Sequence, residues 1–498
     1  MRSAGEFRLI AVALLAAIAG LTTAIAVFWR MVRRPVTVLY LLAFVVSFVG
    51  INVHVGATIY LSRLLMLCFL LVLVVRWVLG RDRPRLHCDP RIVALFAATI
   101  VIQTISAYAS DRIPESMRQV FIYLGAMMVF VTVVSLADSS AKVVRAIGFY
   151  LAGGIVQGVY GLYQVLGGPR GWPTYQTLLA GIPTANDRTD GGYLFISGYN
   201  VYRSMGFFPG DVSHYAGYLA GVLLIALAML ANRRRSGFLY VVILLCGAGL
   251  VFSLSRSGIV AFAGIGLPVL AYFLFSRKML SKGRVFKATL KWTAIVALVA
   301  AVAGGTFVRA WRSDINLPDV GQVLGLRLLN LIQPGDSPAY ESMSLHIRTR
   351  MLALDAFVSS PLIGVGLGVT AKGWYSERYR DGWAGAHSHH FNILGQTGML
   401  GASLEWTFMA LVFFRMRRGV RQSRPRSREQ AVMVGLLAAH VTIIVGNFFY
   451  AYYTNDFVWF LMGCGWALSV AIRRESAMRE TETIAVFPPA GRSAVAHA

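Results

Sequence analysis

The stretch "SLSRSGIVAFAGIGLPVLAYFLFS" (residues 253–276) contains one arginine and is otherwise built of apolar, aromatic and small residues. A helix of about 20 such residues is long enough to cross the hydrocarbon core of a bilayer. Residues 257–276 therefore predict a transmembrane helix. A basic segment that begins at Arg277 follows the run, as expected where a span ends at the cytoplasmic surface.

The composition extends this prediction to the whole chain. Hydrophobic residues make up 57% of the 498 residues and charged residues only 14%, whereas a soluble domain carries about 25% charged residues. Comparable apolar runs recur along the sequence and predict an all-α polytopic membrane protein with about 12–13 transmembrane helices. The runs lie near residues 9–29, 36–53, 58–80, 91–109, 119–137, 146–166, 215–232, 237–254, 257–276, 289–308, 390–414, 430–452 and 456–472.

The net charge of +25 comes largely from the connecting segments and does not indicate a nucleic-acid partner. Basic residues cluster in alternate connections, most strongly in "RMRRGVRQSRPRSR" (415–428). The positive-inside rule places these connections and the C-terminus in the cytoplasm, and the N-terminus outside. Two long loops, at about 167–214 and 309–389, then fall on the outer face. Residues 1–475 form the predicted transmembrane domain, and residues 476–498 are expected to be a disordered cytoplasmic tail.

Three arginines lie at the predicted outer ends of the spans. Arg256 stands in the tight break "SLSRSG" (253–258), Arg203 precedes the span at 215–232, and Arg348 lies in the second long loop. The guanidinium group keeps its charge in proteins and binds phosphate or diphosphate through paired hydrogen bonds. These residues therefore predict an anion site, with an anchor to phospholipid headgroups as the alternative for Arg256.

His387, His389 and His390 end the second long loop, directly before an apolar run. A histidine whose pKa lies near neutrality can act as a general base. A structural role at the start of the following helix is the alternative for each of them. A metal site is not favoured, because no carboxylate or cysteine stands near "HSHH" and metal ligands normally have wider spacings.

Four motifs together resemble those of the O-antigen ligase and polysaccharide polymerase superfamily. "AHSHHFNILGQTGMLG" (386–401) resembles its signature of Ala-His, followed by an amide or acidic residue just before Gly-x-x-Gly, with Ser388 where the family often has Asn. "SPLIGVGLG" (360–368) resembles its Pro-x-x-Gly-x-Gly segment, which an arginine at about the position of Arg348 precedes. The break "SLSRSG" and the segment "YRSMGFFPGDVSHYAG" (202–217) resemble the other two. The resemblance covers roughly residues 200–405.

The resemblance implies a GT-C-like membrane glycosyltransferase that works without a metal or other cofactor. The implied donor is a glycan on undecaprenyl diphosphate, and the implied acceptor is a sugar hydroxyl on a glycan or a lipid core. Transfer would be a direct displacement with inversion, at the outer face of the bacterial cytoplasmic membrane. Such a protein makes surface polysaccharide (O-antigen or exopolysaccharide), in contact with membrane lipid and with other polysaccharide assembly proteins as partners.

The same resemblance assigns roles to the site residues. His387 and His389 are the candidate catalytic residues, Arg203, Arg256 and Arg348 are the candidate diphosphate-binding residues, and no metal ligand is assigned. The glycines within 364–368 and 398–401 are expected to let backbone segments approach closely.

Two other roles stay open at this point. The residues do not separate a polymerase, which joins lipid-linked repeat units, from a ligase, which moves the glycan to another acceptor. The alternative outside the enzyme class is a non-enzymatic flippase or exporter of a lipid-linked glycan. Such a protein would need ionisable residues along the membrane interior, where Glu405 and His440 are the main ones.

Overall fold

The computed structural model describes residue 19 and residues 22–81, 88–168, 172–173, 193–208, 212–232, 236–276, 338–368 and 387–486, apart from short gaps at 56, 197–198, 452 and 454. Within this part of the chain, nine helices are long and apolar enough to cross a membrane. They are α2 (Leu61–Val78), α3 (Pro90–Tyr108), α4 (Ile113–Leu136), α5 (Ser140–Gly167), α6 (Val212–Asn232), α8 (Arg256–Ser276), α10 (His389–Gln422), α11 (Arg428–Gly446) and α12 (Asp456–Val486).

Three further numbered helices, a helical segment at residues 22–33 and two short hairpins complete the described elements. The helices are α1 (Val36–Val45) and α7 (Gly237–Phe252), both apolar, and α9 (Pro338–Ser359) in the second long loop. The antiparallel hairpins are β1 (Asn52–Val55) with β2 (Ala57–Tyr60), and β3 (Tyr193–Ile196) with β4 (Tyr199–Tyr202), registered by the pairs Asn52–Tyr60 and Tyr193–Tyr202.

The polytopic helical fold predicted from the sequence is confirmed. Each predicted run from 36–53 onward coincides with one of these helices, except the run at 289–308, which lies outside the described residues. The first run, 9–29, lies mostly outside them, and residues 22–33 are helical. The hairpins were not predicted, because segments of four residues carry too little periodicity to separate a strand from a loop.

The C-terminal tail departs from the expectation of disorder from residue 476, because α12 continues to Val486. The carboxylate of Glu475 accepts a hydrogen bond from the backbone N of Ser140 at 3.2 Å, which fixes this part of α12 to the start of α5. Glu475 and Arg479 also have the i,i+4 spacing that supports a helix. Residues 487–498 lie outside the described part of the chain.

The bundle gathers its connecting segments at two opposite ends. At one end, which we call the site end, backbone hydrogen bonds join segments that are distant in the sequence. They are Gly50 N to Phe207 O (2.6 Å), Ser204 N to Phe252 O (3.0 Å) and His389 N to Asn447 O (2.8 Å). At the other end, the end of α6 meets the start of α11, where the Asn232 side chain donates to Ser427 O at 3.0 Å. All four motifs therefore belong to one end of the bundle.

Three helices form the centre of the molecule. Most residues of α6, α11 and α12 are buried, whereas most residues of α2 and α8 are either partly buried or exposed, as expected for helices that face lipid. The site-end segment between α11 and α12, and the start of α6, are thus carried by the most deeply packed helices. This packing gives the site a rigid support.

Candidate active site

The segment 360–368 docks along the first turns of α10. Gly366 N donates to Gln396 O at 3.0 Å, and Met399 N donates to Pro361 O at 2.8 Å. Two serines from neighbouring helices complete the junction, since Ser106 Oγ donates to Gln396 O and Ser116 Oγ donates to Leu367 O, at 2.6 and 2.8 Å. Two of the sequence motifs therefore form one hydrogen-bonded unit.

Glycines make this docking possible. Gly364 and Gly398 have φ values of +71° and +62°, in the left-handed region that favours glycine. A Cβ on Gly364 would lie 2.2 Å from the carbonyl carbon of Gln396, and one on Gly398 would lie 2.4 Å from that of Leu362. Gly398 also kinks α10. The close backbone approach expected from these glycines is present.

His387 stands at the entrance to α10 in an unusual backbone conformation. Its φ is +44°, a left-handed value that is costly for a residue with a Cβ, by about 1–3 kcal/mol. The side chain is half-buried, and its ring lies 5.9 Å from the ring of Tyr450. A strained conformation of this kind persists only where the surroundings impose it, and such residues cluster at functional sites.

The other two histidines of "HSHH" are buried in the bundle. Nε2 of His389 contacts Oε1 of Glu405, and both side chains are almost fully buried. His390 uses both ring nitrogens in hydrogen bonds, since Nε2 donates to Ile444 O at 2.9 Å and Nδ1 accepts from the Trp406 indole at 3.1 Å. Of the three histidines, His387 is the least buried among the described residues.

The structure joins Arg203 to the segment that carries Arg256. Arg203 Nε donates to Ser253 O at 2.8 Å, only three residues before Arg256. Arg256 is half-buried and is the first residue of α8. Leu254, which lies between Ser253 and Arg256 in the sequence, has a φ of +50°. Leu254 and His387 are two of the three non-glycine residues with positive φ in the described part of the chain, so backbone strain concentrates in these two motifs.

Two residues outside the predicted set, His214 and Tyr450, link the segment that carries Arg256 to His387. Ser255, directly before Arg256, donates to Ser213 Oγ at 3.4 Å. His214, which follows Ser213 in the sequence, donates from Nε2 to Ala451 O at 2.9 Å. Its ring contacts the ring of Tyr450 edge-on, with 4.9 Å between the centroids. Tyr450 therefore lies between His214 and His387.

A comparison with family models gives a match for part of the chain. Residues 241–404 match the model described as O-antigen ligase. This region forms an O-antigen ligase domain. A comparison with curated proteins gives no match.

The O-antigen ligase domain includes only part of the geometric site. Arg256, Arg348 and His387 lie inside the matched residues, together with the glycines of the docking junction. Arg203 and Tyr450 lie outside them, on either side. The match falls within the region 200–405 where the motifs were recognised, and it supports a multi-pass membrane protein of the O-antigen ligase and polymerase type.

The third candidate arginine, Arg348, lies on α9, and its side chain lies outside the described part of the structure. Arg350, two residues further on, is half-buried. Burial lowers the pKa of the Arg350 guanidinium from its usual value, but the group stays charged at neutral pH. Its Nε has no hydrogen-bond partner among the described residues. Arg350 was not assigned a role from the sequence.

A second buried ion pair lies at the site end of the bundle. Arg63 Nη2 is 3.5 Å from Asp456 Oδ1, and the Arg63 guanidinium lies over the ring of Tyr60 at 4.6 Å. Ser62 also hydrogen-bonds the carboxylate of Asp456. These contacts hold the start of α12, and with it the end of the 447–455 segment, against the start of α2.

The described residues contain no group of three His, Cys, Asp or Glu side chains arranged to hold a metal. The ionisable groups that the structure describes at the site end include Arg203, Arg256 and His387, and also Asp456, which is paired with Arg63. What this arrangement offers chemically is a pair of cations for an anionic group, and a histidine for proton transfer.

Proposed function

We propose that the protein transfers a glycan from an undecaprenyl-diphosphate donor to a sugar hydroxyl, at the outer face of the bacterial cytoplasmic membrane. The observation that carries the proposal is that Arg203, Arg256 and His387 lie at the same end of the bundle, on segments linked by the contacts Arg203–Ser253, Ser255–Ser213, His214–Tyr450 and Tyr450–His387. The family match at residues 241–404 supports the same type of reaction.

The arginines have the chemistry that the leaving group requires. When the bond from the anomeric carbon to the diphosphate oxygen breaks, negative charge grows on that oxygen. Arg203 and Arg256, together with Arg348 on α9, would hold the diphosphate and neutralise this charge, a role that a divalent metal has in other enzymes. The interaction is stronger in the transition state than in the ground state, and this difference accelerates the reaction.

His387 has the chemistry that the acceptor requires. The acceptor hydroxyl has a high pKa, so its proton must leave as the new bond to the anomeric carbon forms. The imidazole of His387 would take that proton, while the diphosphate departs from the opposite side of the sugar. Attack and departure on opposite faces invert the anomeric centre. His389, also expected from the sequence to be catalytic, is buried against Glu405 and fits a supporting role better.

The flippase or exporter alternative is less well supported. It relies on ionisable side chains along the membrane interior. Glu405 is paired with His389, and the ring of His440 is hydrogen-bonded to Met409 O at 3.1 Å. Polymerase and ligase differ only in the acceptor, and nothing in the site geometry favours one acceptor.

The test is a transfer assay with purified protein and a lipid-diphosphate-linked glycan. The change His387→Ala should lower the rate by about 10²–10⁴, the usual contribution of a general base. The variant should still insert and elute as the native protein does. Wild-type activity should persist in EDTA. A His387→Ala variant with near wild-type activity, or a loss in EDTA that Mg²⁺ restores, would contradict the proposal.

A further inference from the structure

The segment 447–455, "NFFYAYYTN", joins α11 to α12 at the site end and lies outside the matched domain. We propose that Tyr450 of this segment is a positioning residue for His387, and that His389 holds the segment in place. The inference rests on the proposed role of His387 as the base. It assigns a function to the second histidine of "HSHH" that differs from proton transfer.

The first restraint on the segment is at its beginning. Asn447 O accepts two hydrogen bonds from the "HSHH" motif, from His389 N at 2.8 Å and from Ser388 Oγ at 3.0 Å. These bonds join the N-terminal turn of α10 directly to the segment. Because Ser388 directly follows His387, this contact also fixes the chain immediately beside the proposed base.

The second restraint lies beyond Tyr450. The imidazole of His389 stacks on the ring of Tyr453 at 4.8 Å, and the indole of Trp459 donates to Tyr453 O at 2.9 Å. The contact between His389 and Glu405 fixes the imidazole that makes this stack. His389 thus holds the segment through its backbone on one side of Tyr450 and through its ring on the other.

The result is a tyrosine ring in a defined place between two histidines. It lies 4.9 Å from His214 and 5.9 Å from His387, measured between ring centroids. His214 is itself fixed by its hydrogen bond to Ala451 O. An aromatic side chain in this place limits the rotation of the His387 ring toward one side. A base that is displaced by about 1 Å can lose about 10²-fold in rate, so such a restraint matters for the reaction.

The experiment compares Tyr450→Leu and Tyr450→Phe in the transfer assay, with Phe449→Leu as the matched control. Phe449 is the neighbouring aromatic residue of the same segment, and its side chain is exposed. We expect Tyr450→Leu to lower kcat by about 10- to 100-fold with KM changed by less than about threefold. Tyr450→Phe keeps the ring and should retain at least about one third of the activity. The control should behave as wild type.

A double-mutant cycle separates positioning from a general loss of structure. In the His387→Ala background, Tyr450→Leu should cause no further loss, because the group that it positions is absent. An equal loss in both backgrounds would overturn the role of Tyr450 and leave His387 as the base. Near wild-type activity of His387→Ala alone would instead remove the base, and this inference with it. If Tyr450→Leu does not fold, a loss above about threefold in Tyr450→Phe overturns the inference.

Discussion

At the scale of single residues, the site-end motifs contain a buried polar pair and left-handed backbone conformations. Both cost free energy unless neighbouring groups compensate for them. His389 and Glu405 are buried together, and breaking such a buried pair is typically destabilising because one group is left without its partner. Leu254 and His387 hold left-handed backbone conformations beside Arg256 and α10. Strained backbone conformations of this kind cluster at functional sites.

The charge of Arg256 gives a prediction at this scale. If it holds the diphosphate, Arg256→Ala should lower the transfer rate by about 10²–10³. Arg256→Lys should recover little of this, because an ammonium group lacks the planar pair of donors. The control is Arg91→Ala, an exposed arginine at the opposite end of the bundle. The measurement is the transfer rate of folded protein. A loss below about threefold in both Arg256 variants would show that Arg256 is only an anchor to headgroups.

At the scale of elements, the junction between segment 360–368 and α10 fixes the first turns of the helix that follows His387. The hydrogen bonds between Met399 and Pro361 and between Gly366 and Gln396 join the two motifs. Both partners are needed, because the segment lies within the second long connection and α10 begins directly after His387 and Ser388. A change inside the junction should therefore alter activity without touching His387.

Gly398 is the most direct place to test the junction. In Gly398→Ala, the added Cβ would lie 2.4 Å from the carbonyl carbon of Leu362, at a φ of +62°. We expect a loss of stability of more than about 1 kcal/mol and a lower transfer rate, because the backbone must shift. Gly247→Ala is the control, since a Cβ on that helical glycine meets nothing within 4 Å. Thermal unfolding in detergent and the transfer assay provide the readouts. Equal behaviour of the two variants would contradict a tight junction.

At the scale of the whole molecule, the alternation of the helices separates a site end from a basic end. The four motifs come from segments that lie far apart in the sequence, yet they meet at one end. The positive-inside rule assigns the basic end to the cytoplasm, which leaves the site end outside. A lipid-linked glycan and its acceptor would then meet the protein on the outer surface.

This orientation can be tested with single cysteines and an impermeant reagent in whole cells. Asp111→Cys is exposed in the site-end turn between α3 and α4, and Gln422→Cys is exposed at the basic end of α10. The background should lack Cys68 and Cys88, which are partly exposed. We expect labelling at position 111 alone in intact cells, and at both positions after permeabilisation. The reverse pattern would invert the proposed topology.

The sequence by itself determined the membrane class, nearly all of the described spans, the common end of the four motifs and the family of the central domain. These are properties that can be read along the chain, because a span needs only a local run of apolar residues and the loop charges alternate with it. The glycines of the docking junction were also predictable. Their need for close backbone approach follows from the residue type.

Only the tertiary structure decided that His389 and His390 are buried, and which residues lie beside the half-buried His387. His389 and Glu405 are separated by a kink in α10, the ring beside His387 comes from the α11–α12 segment, and that ring in turn contacts His214 of α6. No local pattern marks Tyr450 or His214 as neighbours of the site. Their positions follow from the packing of helices that are distant in the sequence, and this packing is a property of the whole bundle.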